Sequence, residues 1–115
     1  MTETRIEIAG AGPAGLAAAI TLAKAGREVV VHEAYKEVGY RFGSLYQDFQ
    51  GLENWTTEQN VIELFEEQGL TTDFATLACY KGTAFDYKQR RYEIRSDQPL
   101  FYMLERGPGP NTLDT

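Results

Sequence analysis

The chain has 115 residues, enough for one small domain or part of a larger one, and its 17 acidic and 11 basic residues give a net charge of −6. No basic cluster marks a nucleic-acid-binding face, and no apolar run approaches the roughly 20 residues that cross a bilayer. Cys79 is the single cysteine and cannot form an internal disulfide, and the N-terminus lacks a signal-peptide pattern, so we expect a cytoplasmic protein.

The first 33 residues predict a strand, a tight turn, a helix and a second strand. Ile6 and Ile8 alternate with polar residues as in a strand, and helical periodicity then runs from Pro13 to Lys24. Gly26 is the expected end of the helix, and a valine-rich strand follows over 27–33, which we expect to be covered on both faces. Four apolar residues at helical spacing should face the sheet: Leu16, Ala17, Ile20 and Ala23.

The turn before the helix has the G-x-G-x-x-G spacing of dinucleotide-binding folds. Gly10 permits the tight turn, Gly12 lets the backbone approach a pyrophosphate, and Gly15 allows close packing of helix and strand. The free N–H groups and the positive end of the helix dipole then face the phosphates. The predicted phosphate-binding residues are Gly10, Ala11, Gly12, Pro13, Ala14 and Gly15.

Glu33 ends the second strand, about 20 residues after the turn. Its carboxylate can accept hydrogen bonds from both hydroxyls of an adenosine ribose, and it would repel a 2′-phosphate, which argues against NADP. A glycine-rich turn that merely links strand to helix is the alternative interpretation. The agreement of strand, turn, helix, spacing and acid favours the nucleotide site.

The stretch Ala34–Trp55 has no regular period, yet it is rich in aromatic residues that favour an ordered loop. Gly39, Arg41 and Gly43 follow the second strand at the same edge as the phosphate-binding turn. We therefore predict that Arg41 reaches the pyrophosphate, because a guanidinium suits phosphate oxygens; a solvated or ion-paired arginine is the alternative.

An amphipathic helix is predicted from Thr56 to Gly69, where Thr56 and Gln59 form a capping-box pattern. Its apolar stripe consists of Val61, Ile62, Leu64 and Phe65. Its acidic face consists of Glu58, Glu63, Glu66 and Glu67. We interpret the acidic face as solvated surface rather than a metal site, because no second type of metal ligand accompanies it.

Beyond Leu70 the pattern is that of antiparallel strands. The predicted elements are a strand over 74–80, a hairpin over 83–95 with its turn at 88–91, and a strand over 100–105. Residues 107–110 read as a stiff connector, and 111–115 as the opening of a helix. No segment has the character of the third parallel strand that a nucleotide-binding half-domain needs. We therefore expect an incomplete α/β domain, the N-terminal part of a longer protein.

The predicted layout has three parts. Residues 1–70 form a nucleotide-binding part with a Rossmann-like βαβ unit and a helix. Residues 71–106 form an antiparallel β segment, and 107–115 connect to a helix beyond it.

The first 33 residues resemble the FAD-binding opening of flavoproteins with the p-hydroxybenzoate hydroxylase fold. The later stretches VGYRFG, DFQGLENW and PLFYMLERGPGPNTLD resemble more narrowly the geranylgeranyl reductase group of that fold. The resemblance implies a flavin-dependent oxidoreductase that reduces isoprenoid double bonds, with NAD(P)H as one electron donor to the complete enzyme. It also implies that residues 1–70 are the N-terminal part of an FAD-binding domain and that residues 71–106 begin an inserted segment on the substrate side. By the same resemblance, Ala14, Glu33, Arg41 and Arg106 contact FAD. Tyr40 departs from the group pattern, which has a glycine there.

Three functions stay open at this stage. The first is the FAD-binding portion of an oxidoreductase acting on an isoprenoid or other lipid-like molecule. The second is a truncated, non-catalytic nucleotide-binding chain, and the third is half of an NAD-binding dehydrogenase. No catalytic residue is identified from the sequence, and we expect these 115 residues alone to be inactive.

Overall fold

The computed structural model describes residues 4–42 and 49–115. Its strands are β1 (Ile6–Ala9), β2 (Val29–His32), β3 (Phe49–Glu53), β4 (Thr76–Cys79), β5 (Lys81–Phe85), β6 (Arg91–Arg95) and β7 (Phe101–Glu105). Its helices are α1 (Pro13–Lys24), α2 (Val61–Glu67) and a single 3-10 turn (Tyr40–Phe42). Gly43 and Tyr46 of the aromatic stretch lie outside the described residues. The predicted α/β class is confirmed.

The N-terminal unit is a parallel strand pair crossed by α1. β1 and β2 pair in register from Ile6 opposite Val29 to Ala9 opposite His32. The helix has the predicted bounds, and Gly26 follows its end with a φ of +77°, in the left-handed region that favours glycine.

Gly15 sets how closely α1 approaches β1. A Cβ placed on Gly15 would lie 2.1 Å from the carbonyl oxygen of Gly10 and 3.4 Å from Cγ2 of Ile8. No side chain fits at the first of these distances, so the helix can lie this close to the strand only with glycine at position 15. This confirms the packing role predicted for Gly15.

The buried face of α1 differs from the predicted stripe. Leu16 and Ala17 are half-buried as expected, but Ile20 is 41% exposed and Ala23 is exposed. Ala19 and Leu22 are half-buried instead, on the line of i, i+4 and i+7 positions that begins at Gly15. The close approach of α1 to β1 at Gly15 therefore determines which face of α1 is buried. The β2 valines are only half-buried, so the expected cover on both faces is not found in the described part of the chain.

The second unit is an antiparallel sheet of order β3–β7–β4, followed by the β5–β6 hairpin. β3 pairs from Phe49 opposite Glu105 to Glu53 opposite Phe101. The β5–β6 hairpin and β7 agree with the hairpin predicted over 83–95 and the strand predicted over 100–105. β3 was not predicted. Its sequence, Phe-Gln-Gly-Leu-Glu, lacks clear alternation, and its strand conformation comes from pairing with β7.

α2 begins at Val61, five residues later than predicted. The Asn60 side chain accepts hydrogen bonds from Ile62 N–H at 2.9 Å and Glu63 N–H at 3.4 Å, while Asn54 accepts Val61 N–H at 2.7 Å. Two asparagines thus satisfy the first amides of the helix, and the predicted Thr56 capping box is wrong. The predicted apolar stripe is confirmed, with Val61 fully buried.

The buried apolar residues come from several parts of the chain. Leu104 of β7 is 2% exposed, and Ala11, Val61 and Phe74 are also buried. The radius of gyration is 17.3 Å, against about 13 Å for a compact domain of this length. No helix in residues 4–42 and 49–115 is long and apolar enough to cross a membrane.

Substituting Gly15→Ala should destabilise the chain by about 1–3 kcal/mol, because the added methyl group forces α1 away from a backbone oxygen that has no side-chain freedom. This exceeds the gain of about 1 kcal/mol expected from alanine's better helix propensity. Urea unfolding measures the change. Gly12→Ala is the matched control, since its Cβ meets no atom within 4 Å, and it should cost less than about 1 kcal/mol. Equal stabilities of the two variants would contradict the packing role of Gly15.

Candidate nucleotide-binding site

The glycine turn presents open backbone at the N-terminus of α1. Gly10 has a φ of +101°, and its N–H donates to the His32 carbonyl oxygen at 2.7 Å, which fixes the turn to β2. Gly12 is the N-cap residue, no side chain caps the helix, and the first turn carries no acidic residue. A Cβ on Gly12 would meet nothing within 4 Å, so space for a ligand lies beside this backbone. Such a helix N-terminus suits a phosphate.

Glu33 lies directly beside this turn. Its Oε2 accepts a hydrogen bond from Ala11 N–H at 2.9 Å, and its Oε1 accepts one from Tyr35 N–H at 3.0 Å. The N–H groups of Tyr35 and Ala11 lower the pKa of the carboxyl below its usual value, so Glu33 is an anion at neutral pH. The carboxylate is exposed, and each oxygen keeps a lone pair for another donor such as a ribose hydroxyl.

The fold therefore brings together two of the predicted features, the glycine turn and the acid at the end of the second strand. Hydrogen-bond donors for phosphate lie on one side, and an acceptor for hydroxyl groups lies on the other. Among the described residues no group of histidine, cysteine and acidic side chains is arranged to hold a metal ion. This arrangement offers the donors and the acceptor that binding of a nucleotide requires.

A family model described as an NAD(P)-binding Rossmann-like domain matches residues 8–67, which is more than half of the chain. The chain belongs to this family. The matched range includes the glycine turn, Glu33 and α2, so this Rossmann-like domain extends past the parallel strands.

Two known proteins are similar to this Rossmann-like domain. Putrescine oxidase from Kocuria rosea is 44% identical over 80 residues, which cover 62% of this chain and 17% of the oxidase. A structure of 2,6-dihydroxypyridine-3-hydroxylase from Arthrobacter nicotinovorans superimposes with a TM-score of 0.55 at 19% identity, covering 92% of this chain and 24% of the hydroxylase. The chain thus spans less than a quarter of either protein's length, and the second likeness shows a shared fold.

Arg41 lies on the 3-10 turn that follows β2. Its side chain is exposed. The neighbouring Tyr40 ring packs against the Tyr35 ring with centroids 5.3 Å apart, and Lys36 Nζ lies 5.0 Å from the Tyr40 centroid. Tyr40 therefore anchors the turn to residues just after Glu33. The contacts of Tyr35 and Lys36 with Tyr40 were not predicted from the sequence.

Arg106 is buried within a polar network. Its Nε donates to Asp114 Oδ2 at 2.9 Å, its Nη2 donates to Asp114 Oδ1 at 2.9 Å, and its Nη1 donates to the Gln50 side chain. Arg106 is 7% exposed and Asp114 is 3% exposed. A contact between Arg106 and FAD stays a prediction, but the described contacts occupy much of its guanidinium.

Residues 107–115 form a compact turn in place of the predicted helix opening. Thr112 Oγ1 donates to the Gly107 carbonyl oxygen at 2.6 Å, and Asp114 accepts Gly107 N–H at 2.8 Å. Asn111 has a φ of +63°, which reverses the chain. The side chains that suggested a helix cap are used here to close this turn, and a helix beyond residue 115 stays a prediction.

Gly39 packs against this turn. A Cβ on Gly39 would lie 2.5 Å from the carbonyl carbon of Gly107 and 2.9 Å from the nitrogen of Pro108. The backbone after β2 and the backbone after β7 are therefore in direct contact. This contact brings the 3-10 turn that carries Arg41 next to the turn that Arg106 begins.

The Asp114 carboxylate should make stability depend on acid pH. Burial alone would raise the pKa of Asp114, but hydrogen bonds from Arg106 and Gly107 and the charge of Arg106 outweigh it, so its pKa lies below the usual 3.8. The ionised Asp114 carboxylate therefore stabilises the fold fully above the usual pKa of 3.8. This stabilisation is lost as the pH falls through the lower pKa of the folded state.

Urea unfolding of the wild type and Asp114→Asn tests this expectation. The wild type should be clearly more stable at pH 7, where the variant leaves Arg106 without its carboxylate, and the difference should shrink between about pH 4 and pH 2. Asp97→Asn at an exposed position is the control and should show no such convergence. A difference that stays constant with pH would contradict the ion pair.

Proposed function

We propose that this chain supplies the ADP-binding part of an FAD-dependent oxidoreductase. The observation that carries the proposal is the hydrogen bond that holds the Glu33 carboxylate 2.9 Å from the Ala11 amide of the glycine turn. In the proposed complex the backbone N–H groups of Gly12, Ala14 and Gly15, at the N-terminus of α1, bind the pyrophosphate. Glu33 accepts hydrogen bonds from the adenosine ribose hydroxyls.

The choice of FAD is supported by the resemblance of Gly10–Gly15 and the later stretches to flavoproteins. Putrescine oxidase and the hydroxylase are both oxidoreductases by name, which agrees with this class. The description of the family as NAD(P)-binding supports NAD as a second candidate. Glu33 disfavours NADP in either case, because its charge opposes a 2′-phosphate. Titrating the isolated chain with FAD and, separately, with NAD distinguishes the two candidates by their affinities.

We assign Arg41 and Arg106 secondary roles in the same site. Arg41 lies on the exposed turn after β2 and would add positive charge near the pyrophosphate. Arg106 is proposed to act from the buried network described above. Bound FAD would supply the redox chemistry, while these residues position the cofactor.

The finer proposal concerns the substrate. The stretches that resemble the geranylgeranyl reductase group suggest reduction of an isoprenoid double bond, with NAD(P)H as electron donor to the complete enzyme. We propose residues 71–106 as the start of its substrate-side segment and 1–70 as the cofactor side. An apolar cleft of about 330 Å³ lies between β7 and the β5–β6 hairpin, with Trp55, Ile94 and Phe101 in its lining, and it agrees with an apolar substrate nearby.

Replacing Glu33 tests the cofactor proposal. Glu33→Ala removes the acceptor for two ribose hydroxyls, and we expect FAD affinity to fall by about 5- to 150-fold. The wild-type affinity of the isolated chain should be micromolar or weaker, and flavin fluorescence titration measures both values. Glu28→Ala is the matched control, because it removes the same charge at the opposite end of β2.

The outcomes of this titration are distinct. A large loss with Glu33→Ala and little change with Glu28→Ala supports the ribose role. Equal losses would assign the effect to net charge, and unchanged affinity in both variants would contradict the proposed site.

A further inference from the structure

Two backbone segments from distant parts of the chain meet at Gly39. Gly39 has a φ of +72°, and a Cβ on it would lie 2.6 Å from the carbonyl oxygen of Gly107 as well as close to the carbonyl carbon of Gly107 and to Pro108. All the nearest atoms belong to the backbone, so a side chain cannot be accommodated by a small rotation. The loop after β2 is thus seated on the turn after β7.

The turn after β7 is rigid because charged and polar groups close it from inside. Arg106 binds Asp114 through two nitrogens, Asp114 also accepts Gly107 N–H, and Thr112 donates to the Gly107 carbonyl oxygen. Leu113 N–H donates to the Glu105 carbonyl oxygen at 3.0 Å, which ties the turn to β7. The N–H and the carbonyl oxygen of Gly107 are therefore both held by hydrogen bonds within the turn. The position of Gly107 in turn limits where Gly39 can lie.

We propose that Arg106 is a positioning residue for the nucleotide site and acts through Gly107 and Gly39. The Arg106–Asp114 pair fixes the turn, the turn seats Gly39, and Gly39 begins the segment that carries Arg41. Loss of the pair would release this segment and so weaken nucleotide binding without removing any group that touches the nucleotide. The effect on binding rests on the proposed function, whereas the mechanical link does not.

Gly39→Ala tests the link while leaving the ion pair intact. The methyl group cannot fit against Gly107, so residues 38–42 should leave the turn, and their amides should exchange with deuterium faster. Gly26→Ala is the matched control: Gly26 has a similar φ of +77°, but its Cβ would meet nothing within 4 Å. The control carries the same backbone strain, and exchange in 38–42 should stay as in the wild type.

Substitutions of Arg106 complete the test. Arg106→Ala should accelerate exchange in residues 38–42 relative to residues 13–24 of α1, and Arg106→Lys should give a smaller effect, since lysine keeps the charge but not the two-nitrogen fork. FAD affinity should fall by about 2- to 30-fold in Gly39→Ala and Arg106→Ala alike. If Arg106→Ala unfolds the chain, Arg106→Lys tests the role of Arg106, and Gly39→Ala tests the contact with Gly107.

The exchange and binding measurements separate the two proposals. Unchanged exchange in residues 38–42 of Gly39→Ala overturns the link. Weaker FAD binding by Arg106→Ala with unchanged exchange also overturns it, because Arg106 would then act directly on the nucleotide. Faster exchange in a chain whose wild type binds no FAD supports the link and contradicts the proposed function.

Discussion

The hydrogen bond from the Ala11 amide to the Glu33 carboxylate joins the glycine turn to the end of β2. The same turn is tied to β2 through Gly10, and Gly15 lets α1 lie close to β1 beside it. Hydrogen bonds from the Tyr35 and Ala11 amides lower the pKa of this carboxyl further below its usual value. The site is therefore prepared by backbone geometry before any ligand binds, which limits the ordering cost of binding.

Much of the first unit was predictable because its signals are local. Glycine spacing, helical periodicity and a valine run each depend on residues within a few positions, and α1 has the predicted bounds. The exposure of the Ile20 side chain was not predictable, because it follows from the way α1 packs on β1 at Gly15. The class of fold was confirmed, while the roles of the individual site residues stay predictions.

The second unit was less predictable because its decisive contacts are long-range. β3 has a weak pattern of its own and becomes a strand through β7, about fifty residues later in the chain. Asn54 and Asn60, instead of the predicted Thr56, accept hydrogen bonds from the first amides of α2. The sequence alone does not show which of these polar residues makes the hydrogen bonds. The same holds for Arg106: its neighbour Asp114 looked like a helix-capping residue, and only the folded turn shows that it is an ion-pair partner.

The central claim is that Glu33 selects an adenosine ribose with two free hydroxyls. Calorimetric titration of the chain with ADP and with the same molecule bearing a 2′-phosphate tests this claim most directly, because it does not depend on the flavin half of the ligand. We expect ADP to bind more tightly than its 2′-phosphorylated counterpart by at least about tenfold, and this preference should disappear in Glu33→Ala. Equal binding of the two molecules to the wild type, or tighter binding of the 2′-phosphate, would contradict the account.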